Sequence, residues 1–163
     1  MATGTTTAPV STAVSAGARL HPPALFMGFL MAGFLLQRLF PFKILPGGIA
    51  RSAGLTLAVS GFALMMRAVR TMRAAGTPVE PYRPSTTLVT TGPYQYTRNP
   101  IYIGMTLLYA GLSTLVNAVW PLLLLPSALF LVTKGMVEKE EQYLEQRFGD
   151  RYRQYKEHVR RWL

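Results

Sequence analysis

Thr91-Gly92-Pro93-Tyr94-Gln95-Tyr96-Thr97-Arg98-Asn99-Pro100-Ile101-Tyr102-Ile103-Gly104 is a turn, a pair of tyrosines and a cation running straight into an apolar segment. Gly92-Pro93 punctuates a turn, and Pro100 biases Asn99 away from the helical region while itself suiting a first helical turn. The stretch therefore predicts a helix that starts at Pro100, with Arg98 and Asn99 at its mouth. Unpaired backbone N–H groups and the positive end of the helix dipole suit that position to a carboxylate or another anion. A plainer reading is also open, in which Arg98 anchors a transmembrane helix at the lipid headgroups and the tyrosines form an interfacial belt.

Working outward, the chain is short and apolar: 163 residues, half of them hydrophobic, with a positive mean hydropathy of +0.22. One membrane domain is the expectation. The net charge of +10 comes without any zinc spacing or RNA-binding aromatic pattern, so no nucleic-acid partner is expected. Basic residues lie between and after apolar runs, which points to anionic lipid headgroups. The absence of cysteine, with histidine only at His21 and His158, removes disulfides and thiolate nucleophiles and makes a metal site an unexpected feature.

Residues 1–21 are rich in Thr, Ser, Ala and Gly and are expected to form a disordered tail, leaving 22–163 as the membrane domain. A first crossing is predicted from Pro22 or Pro23 to about Phe40, and a second from about Ile49 to Met66, with Gly54, Ser60 and Gly61 allowing close helix approach. Arg67, Arg70 and Arg73 then form a cationic strip before a break at Gly76-Thr77-Pro78. The segment from Ala75 to Leu88, punctuated by Glu80, Pro81 and Pro84, reads as an ordered cap or substrate-access loop. Ile101–Val116 and Val119–Thr133 are separated by Asn117-Ala118 and predict an antiparallel hairpin, with a kink near Pro126.

Lys134 to Phe148 continues in helical pattern to Gly149, and Asp150 is placed to cap a last helix. There Tyr152, Tyr155, Val159 and Trp162 oppose Arg151, Arg153, Lys156 and Arg160 or Arg161, the pattern of an amphipathic interfacial helix. The fold class is therefore all-α, an integral-membrane bundle of about four transmembrane helices with an interfacial C-terminal helix. Positive charge concentrated on the Arg98 side places that side, and the N-terminus with it, toward the cytoplasm. Glu138, Glu140 and Glu141 put three carboxylates within four residues at a helix end, an arrangement that calls for cationic partners.

From about Ala75 onward, the order Arg98-Asn99-Pro100-Ile101-Tyr102-Ile103-Gly104, apolar hairpin, Glu140-Glu141 resembles the isoprenylcysteine carboxyl methyltransferase and phospholipid N-methyltransferase superfamily. Its signature is Arg-His-Pro-x-Tyr-x-Gly, a hydrophobic segment, then Glu-Glu. Asn99 stands where the signature has His; it keeps a donor and an acceptor but cannot titrate. The resemblance implies S-adenosylmethionine as cofactor, bound by the half from about residue 75 to 163. Gly92, Tyr94, Arg98, Asn99, Pro100, Tyr102, Gly104, Glu140 and Glu141 would bind it, and Arg98, Asn99 and Tyr102 would serve catalysis.

The implied roles make physical sense. A Glu carboxylate, Glu141 in the first instance, can accept both ribose hydroxyls; Arg98 or free N–H groups suit the methionyl carboxylate; Tyr94 and Tyr102 suit a sulfonium; and Gly104 would let the cofactor approach the backbone. Tyr155 and Arg160 are the residues expected to meet a lipid-like acceptor, a carboxylate or an amine, and an amine would need a base such as Glu138 or a tyrosine. Two other classes compete. A sterol-reductase-like NADPH enzyme shares part of the motif but usually has an acidic residue where Met105 stands, and a non-catalytic lipid-binding module would not need the Glu140-Glu141 pair.

Overall fold

The computed structural model describes residues 21–79 and 85–163, so the expected tail over residues 1–20, and Glu80, Pro81 and Pro84 of the cap loop, lie outside the described residues. Helix α1 (Pro22–Leu39) starts with proline in its first turn, where the missing N–H is no loss, and is stopped before Pro41. One of its faces (Phe26, Leu30, Gly33) is buried, while Met27, Met31 and Leu35 on the other are more than half exposed. A helix apolar on both faces calls for lipid rather than water around it.

Helix α2 (Gly47–Ala74) packs along α3 (Pro100–Leu115), and the seam is made of glycine. A Cβ on Gly61 would lie 2.6 Å from the Gly104 carbonyl oxygen, and one on Gly104 would lie 2.8 Å from that of Gly61. Gly54 and Gly111 make equivalent contacts one heptad away, against Leu115 and Ala58. Small residues at this spacing let two backbones touch, the usual source of helix association in lipid. Ser60, expected to share this role, is exposed.

Helix α4 (Val119–Val132) runs back beside α1 and α3, passes through Pro126 and enters a π-turn (Thr133–Val137) that leads into α5 (Glu138–Phe148). The irregularity thus extends a turn beyond the expected proline kink. A π-turn adds a residue to the ladder and resets which side chains of α5 face inward. The core between these helices is formed by Phe26, Leu30, Tyr102, Tyr109, Val132 and Val137, with the Phe26 and Tyr109 rings edge to face at 6.1 Å.

At the end remote from Arg98 the two connectors are knitted together. Asn117 adopts a positive φ of 56°, accepts from the Ile44 and Leu45 N–H groups at 3.0 and 3.2 Å, and donates to the Leu45 carbonyl at 2.6 Å. Gln37 accepts from the Val119 N–H at 3.1 Å, and the Trp120 indole donates to the Phe40 carbonyl at 2.8 Å. The first hairpin is thereby held in register on the second.

Three helical segments, Pro22–Leu39, Gly47–Ala74 and Val119–Phe148, are long and apolar enough to cross a membrane, and no strand occurs among the described residues. Helix α3 has 16 residues, about 24 Å at 1.5 Å per residue against a hydrocarbon core of about 30 Å. The 28-residue α2 reaches about 42 Å. Gly54 lies on Leu115, the last residue of α3, and Gly104 lies on Met65, so α2 overhangs α3 at both ends and its last turns rise beyond the recessed head of α3.

Candidate active site

The recess at the head of α3 is floored by the 91–104 stretch. A 3₁₀ turn (Gly92–Gln95) places Gly92 at φ 61°, and a Cβ there would meet the Thr71 hydroxyl of α2 at 3.0 Å. Glycine is needed here for the turn and for close approach. Thr97 accepts from the Asn99 N–H at 3.2 Å, and Pro100 opens α3 as expected. The described parts of the cap loop close over the recess: Thr87 N–H donates to the Thr77 hydroxyl at 3.0 Å, and the Ser85 N–H donates to the Tyr143 hydroxyl of α5 at 3.2 Å.

Together these elements enclose a cavity of about 480 Å³, within the range of small-molecule sites. Tyr94, Arg98, Asn99, Pro100, Tyr102, Glu140, Glu141 and Tyr155 all line it, so residues about forty positions apart in the chain meet. Gly92, Gly104 and Arg160 do not. Gly104 is occupied with α2, as above, so its missing side chain serves helix packing rather than a ligand. Arg160 is exposed, and what it contributes is its backbone carbonyl, which accepts from the Arg98 N–H at 3.0 Å.

The two adjacent glutamates are separated by their helical phase, about 100° per residue. Glu138, Glu141 and Glu145 recur on one face of α5 and take up the cations. Lys134 reaches Glu138 at 2.8 Å, and Arg153 and Lys156 reach Glu145 at 3.2 and 3.0 Å. Glu141, 9% exposed, receives Arg161 through Nε at 3.1 Å and Nη2 at 2.8 Å, and Arg98 Nη1 at 3.3 Å. Its oxygens are thus already engaged, which argues against the ribose-binding role expected for Glu141. Glu140 lies off this face, lines the cavity and, among the described residues, accepts only a long bond, 3.4 Å, from the Tyr102 hydroxyl.

Arg98 is nearly enclosed, with its side chain 10% exposed. Its Nη1 also lies 3.5 Å from the Tyr152 hydroxyl, and its Nε is a buried nitrogen with no hydrogen-bond partner among the described residues. A buried N–H of a guanidinium left without an acceptor is costly unless a ligand supplies one. The amide of Asn99 is committed elsewhere, donating to the Arg161 carbonyl at 3.0 Å.

Helix α6 (Asp150–His158) begins one residue earlier than a cap at Asp150 would require: Gly149, at φ 53°, is the boundary residue, and Asp150 sits in the first turn and pairs with Arg153 at 2.8 Å. The helix ends at His158, so Val159 and Trp162 lie beyond it. Its tyrosines turn toward the protein: Tyr152 is buried, and Tyr155 donates to the Tyr94 carbonyl at 2.6 Å. Burial first, and the carboxylate of Glu141 second, push the Tyr152 phenol up to about 12, and burial raises Tyr94 and Tyr155 as well. All three remain protonated donors near neutral pH, which removes them as candidates for a base.

Tyr152 as a wall of the cavity, Arg161, and the α2 residues Met65, Met66 and Met72 were not singled out from the sequence as site residues. The three-residue recurrence of Arg67, Arg70 and Arg73 indicated the right face of α2 only in part: Arg73 lines the cavity. Among the described residues, no three His, Cys, Asp or Glu side chains converge as a metal site would require.

A family model described as phospholipid methyltransferase matches residues 49–151, from α2 to the start of α6. A 35-residue stretch is 49% identical to an uncharacterized protein of Haemophilus influenzae, covering 22% of this chain and 56% of that one. The chain thus aligns with little more than half the length of that relative. No solved structure matches.

Proposed function

The chain belongs to the phospholipid methyltransferase family, and from that premise we propose that it is an S-adenosylmethionine-dependent methyltransferase, embedded in the membrane, acting on a lipid-like carboxylate or amine. The observation that carries the reading is the buried Nε of Arg98, which among the described residues has no partner, in a cavity shared with Glu140, a carboxylate that no described cation pairs with. The guanidinium Nε lacks an anion and the carboxylate offers an acceptor. An amino-acid carboxylate at Arg98 and ribose hydroxyls at Glu140 meet both needs. Tyr94, Tyr102 and Tyr152 supply ring faces suited to a cation. The cofactor would bring an activated methyl group with its own leaving group.

The chain's own residues then have to align and to exclude water. Arg98 and Glu140 hold the ligand; the bond from Tyr155 to the Tyr94 carbonyl and the bond from Ser85 to Tyr143 tie together the elements around it. The acceptor's apolar part is assigned to the side of the cavity lined by Pro22, Met65 and Met66, where α1 and α2 share no extensive seam among the described residues and a lipid can approach sideways. A carboxylate acceptor needs no base; an amine would give its proton to a cavity carboxylate such as Glu140, which has no cationic partner among the described residues. The cationic residues clustered at this end support a cytoplasmic orientation for it. Family membership favours transfer over the NADPH-dependent reduction also considered.

Calorimetry of the detergent-solubilised protein with S-adenosylhomocysteine, followed by mass spectrometry of lipid extracts incubated with labelled cofactor, tests the reading. Binding and a labelled lipid are expected. A folded protein that binds neither S-adenosylmethionine nor its demethylated product would refute it.

A further inference from the structure

The five residues after α6 have no role in the reaction proposed above, yet they are bonded to both the head of α3 and α5. Val159 is extended (φ −121°, ψ 125°), and the chain runs back across the head of α3. The Arg160 carbonyl accepts from the Arg98 N–H at 3.0 Å, and the Arg161 carbonyl accepts from both the Thr97 hydroxyl at 3.1 Å and the Asn99 amide at 3.0 Å. Asn99, the residue that departs from the family's histidine, is therefore one of the anchors. The Arg161 side chain crosses to α5, forks onto Glu141 and comes within 3.7 Å of Glu138, while Trp162 packs against the core.

We propose that residues 160–162 are a strap and that Arg161 is a positioning residue, whose hold on Glu141 keeps the Arg98 Nε–H available to a ligand. A carboxylate and a guanidinium prefer to pair through two parallel bonds. Arg161 already makes that pair, through Nε and Nη2, one to each oxygen of Glu141. Arg98 is left with one oxygen and one nitrogen, Nη1, at 3.3 Å. Without Arg161, both Glu141 oxygens are open to Arg98, which can rotate to a two-bond pair that includes Nε. The donor that the cavity offers to an anion is then consumed within the protein. Arg161 touches no ligand in this account; it acts by occupying the competing acceptor.

This inference rests on the cofactor reading for its binding measurement, so a second measurement is independent of any cofactor. In the binding arm, Arg161→Ala weakens S-adenosylhomocysteine about tenfold, Arg161→Lys, whose ammonium cannot fork, falls between, and Arg160→Ala, whose side chain is exposed, matches the parent. In the independent arm, the guanidinium Nε–H resonance of Arg98, assigned through its loss in Arg98→Lys in ¹⁵N-arginine protein, moves downfield and exchanges more slowly in ligand-free Arg161→Ala. If Arg161→Ala does not fold, Arg161→Lys carries both arms alone.

Unchanged binding together with an unchanged Arg98 resonance overturns the proposal, as does equal weakening by Arg160→Ala and Arg161→Ala. A shifted Arg98 resonance in a protein that binds no S-adenosylhomocysteine supports the strap and sinks the cofactor reading instead.

Discussion

Replacing Glu141 and Glu140 separately by glutamine should give opposite phenotypes from adjacent residues. Glu141 is 9% exposed and receives bonds from two guanidiniums at 2.8, 3.1 and 3.3 Å. Glutamine keeps the shape but leaves Arg98 without its carboxylate and Arg161 with only the more distant Glu138, at 3.7 Å. Breaking a buried pair this way costs about 3–5 kcal/mol, and because the Arg161 side chain is 35% exposed and keeps some water, the lower end applies, about 3 kcal/mol. That is more than a hundredfold in the unfolding equilibrium.

Glu140, by contrast, loses only a 3.4 Å contact with Tyr102, so Glu140→Gln should shift stability by about 1 kcal/mol or less. Its cost should appear in cofactor binding, about 1.5–3 kcal/mol for a charge-assisted hydrogen bond, or roughly 10- to 150-fold in Kd. Thermal unfolding in detergent, paired with titration by S-adenosylhomocysteine, separates the two effects. A stable Glu141→Gln with weakened binding, beside an unstable Glu140→Gln, would refute the division of roles between the two carboxylates.

Other substitutions probe the frame around the site. Gly104→Val should abolish monodisperse folded protein, because its Cβ would sit 2.8 Å from the Gly61 carbonyl oxygen, whereas Gly28→Val, with nothing within 4 Å, should be tolerated in size-exclusion profiles. Asn117→Ala should lower the unfolding temperature by removing three hydrogen bonds to Ile44 and Leu45 at a residue with φ 56°, while leaving cofactor affinity unchanged, since it lies at the remote end. Tyr152 has its phenol raised from 10.0 to about 12 in the fold, so its contribution is complete below pH 10 and lost as pH rises to about 12. Ultraviolet titration should show a late-ionising phenol that disappears in Tyr152→Phe; the same late phase persisting in that variant would contradict the assignment.

The apolar runs by themselves determine that this chain is helical and membrane-bound, because a run longer than about 17 residues without charge has no other way to satisfy its backbone in lipid. Proline at 22 and 100 and glycine at 149 mark boundaries through local φ restrictions, so α1, α3 and the end of α5 were legible to within a residue or two. The motif from Arg98 to Gly104 and the acidic cluster at 138–141 likewise announce a site, since such charges at helix ends demand partners.

Which partner each residue takes was decided only in three dimensions. Glu140 and Glu141 are equivalent as letters and both line the cavity, and only the phase of α5 after its π-turn pairs Glu141 with Arg98 and Arg161 and leaves Glu140 against Tyr102. Gly104 reads as room for a ligand but faces Gly61 across the α2–α3 seam, a fact that depends on how two helices distant in the chain align. Arg160 and Arg161 sit where helical periodicity had been extended past His158. Once the backbone becomes extended there, neighbouring side chains point to opposite sides, and Arg161 rather than Arg160 turns toward the acidic face.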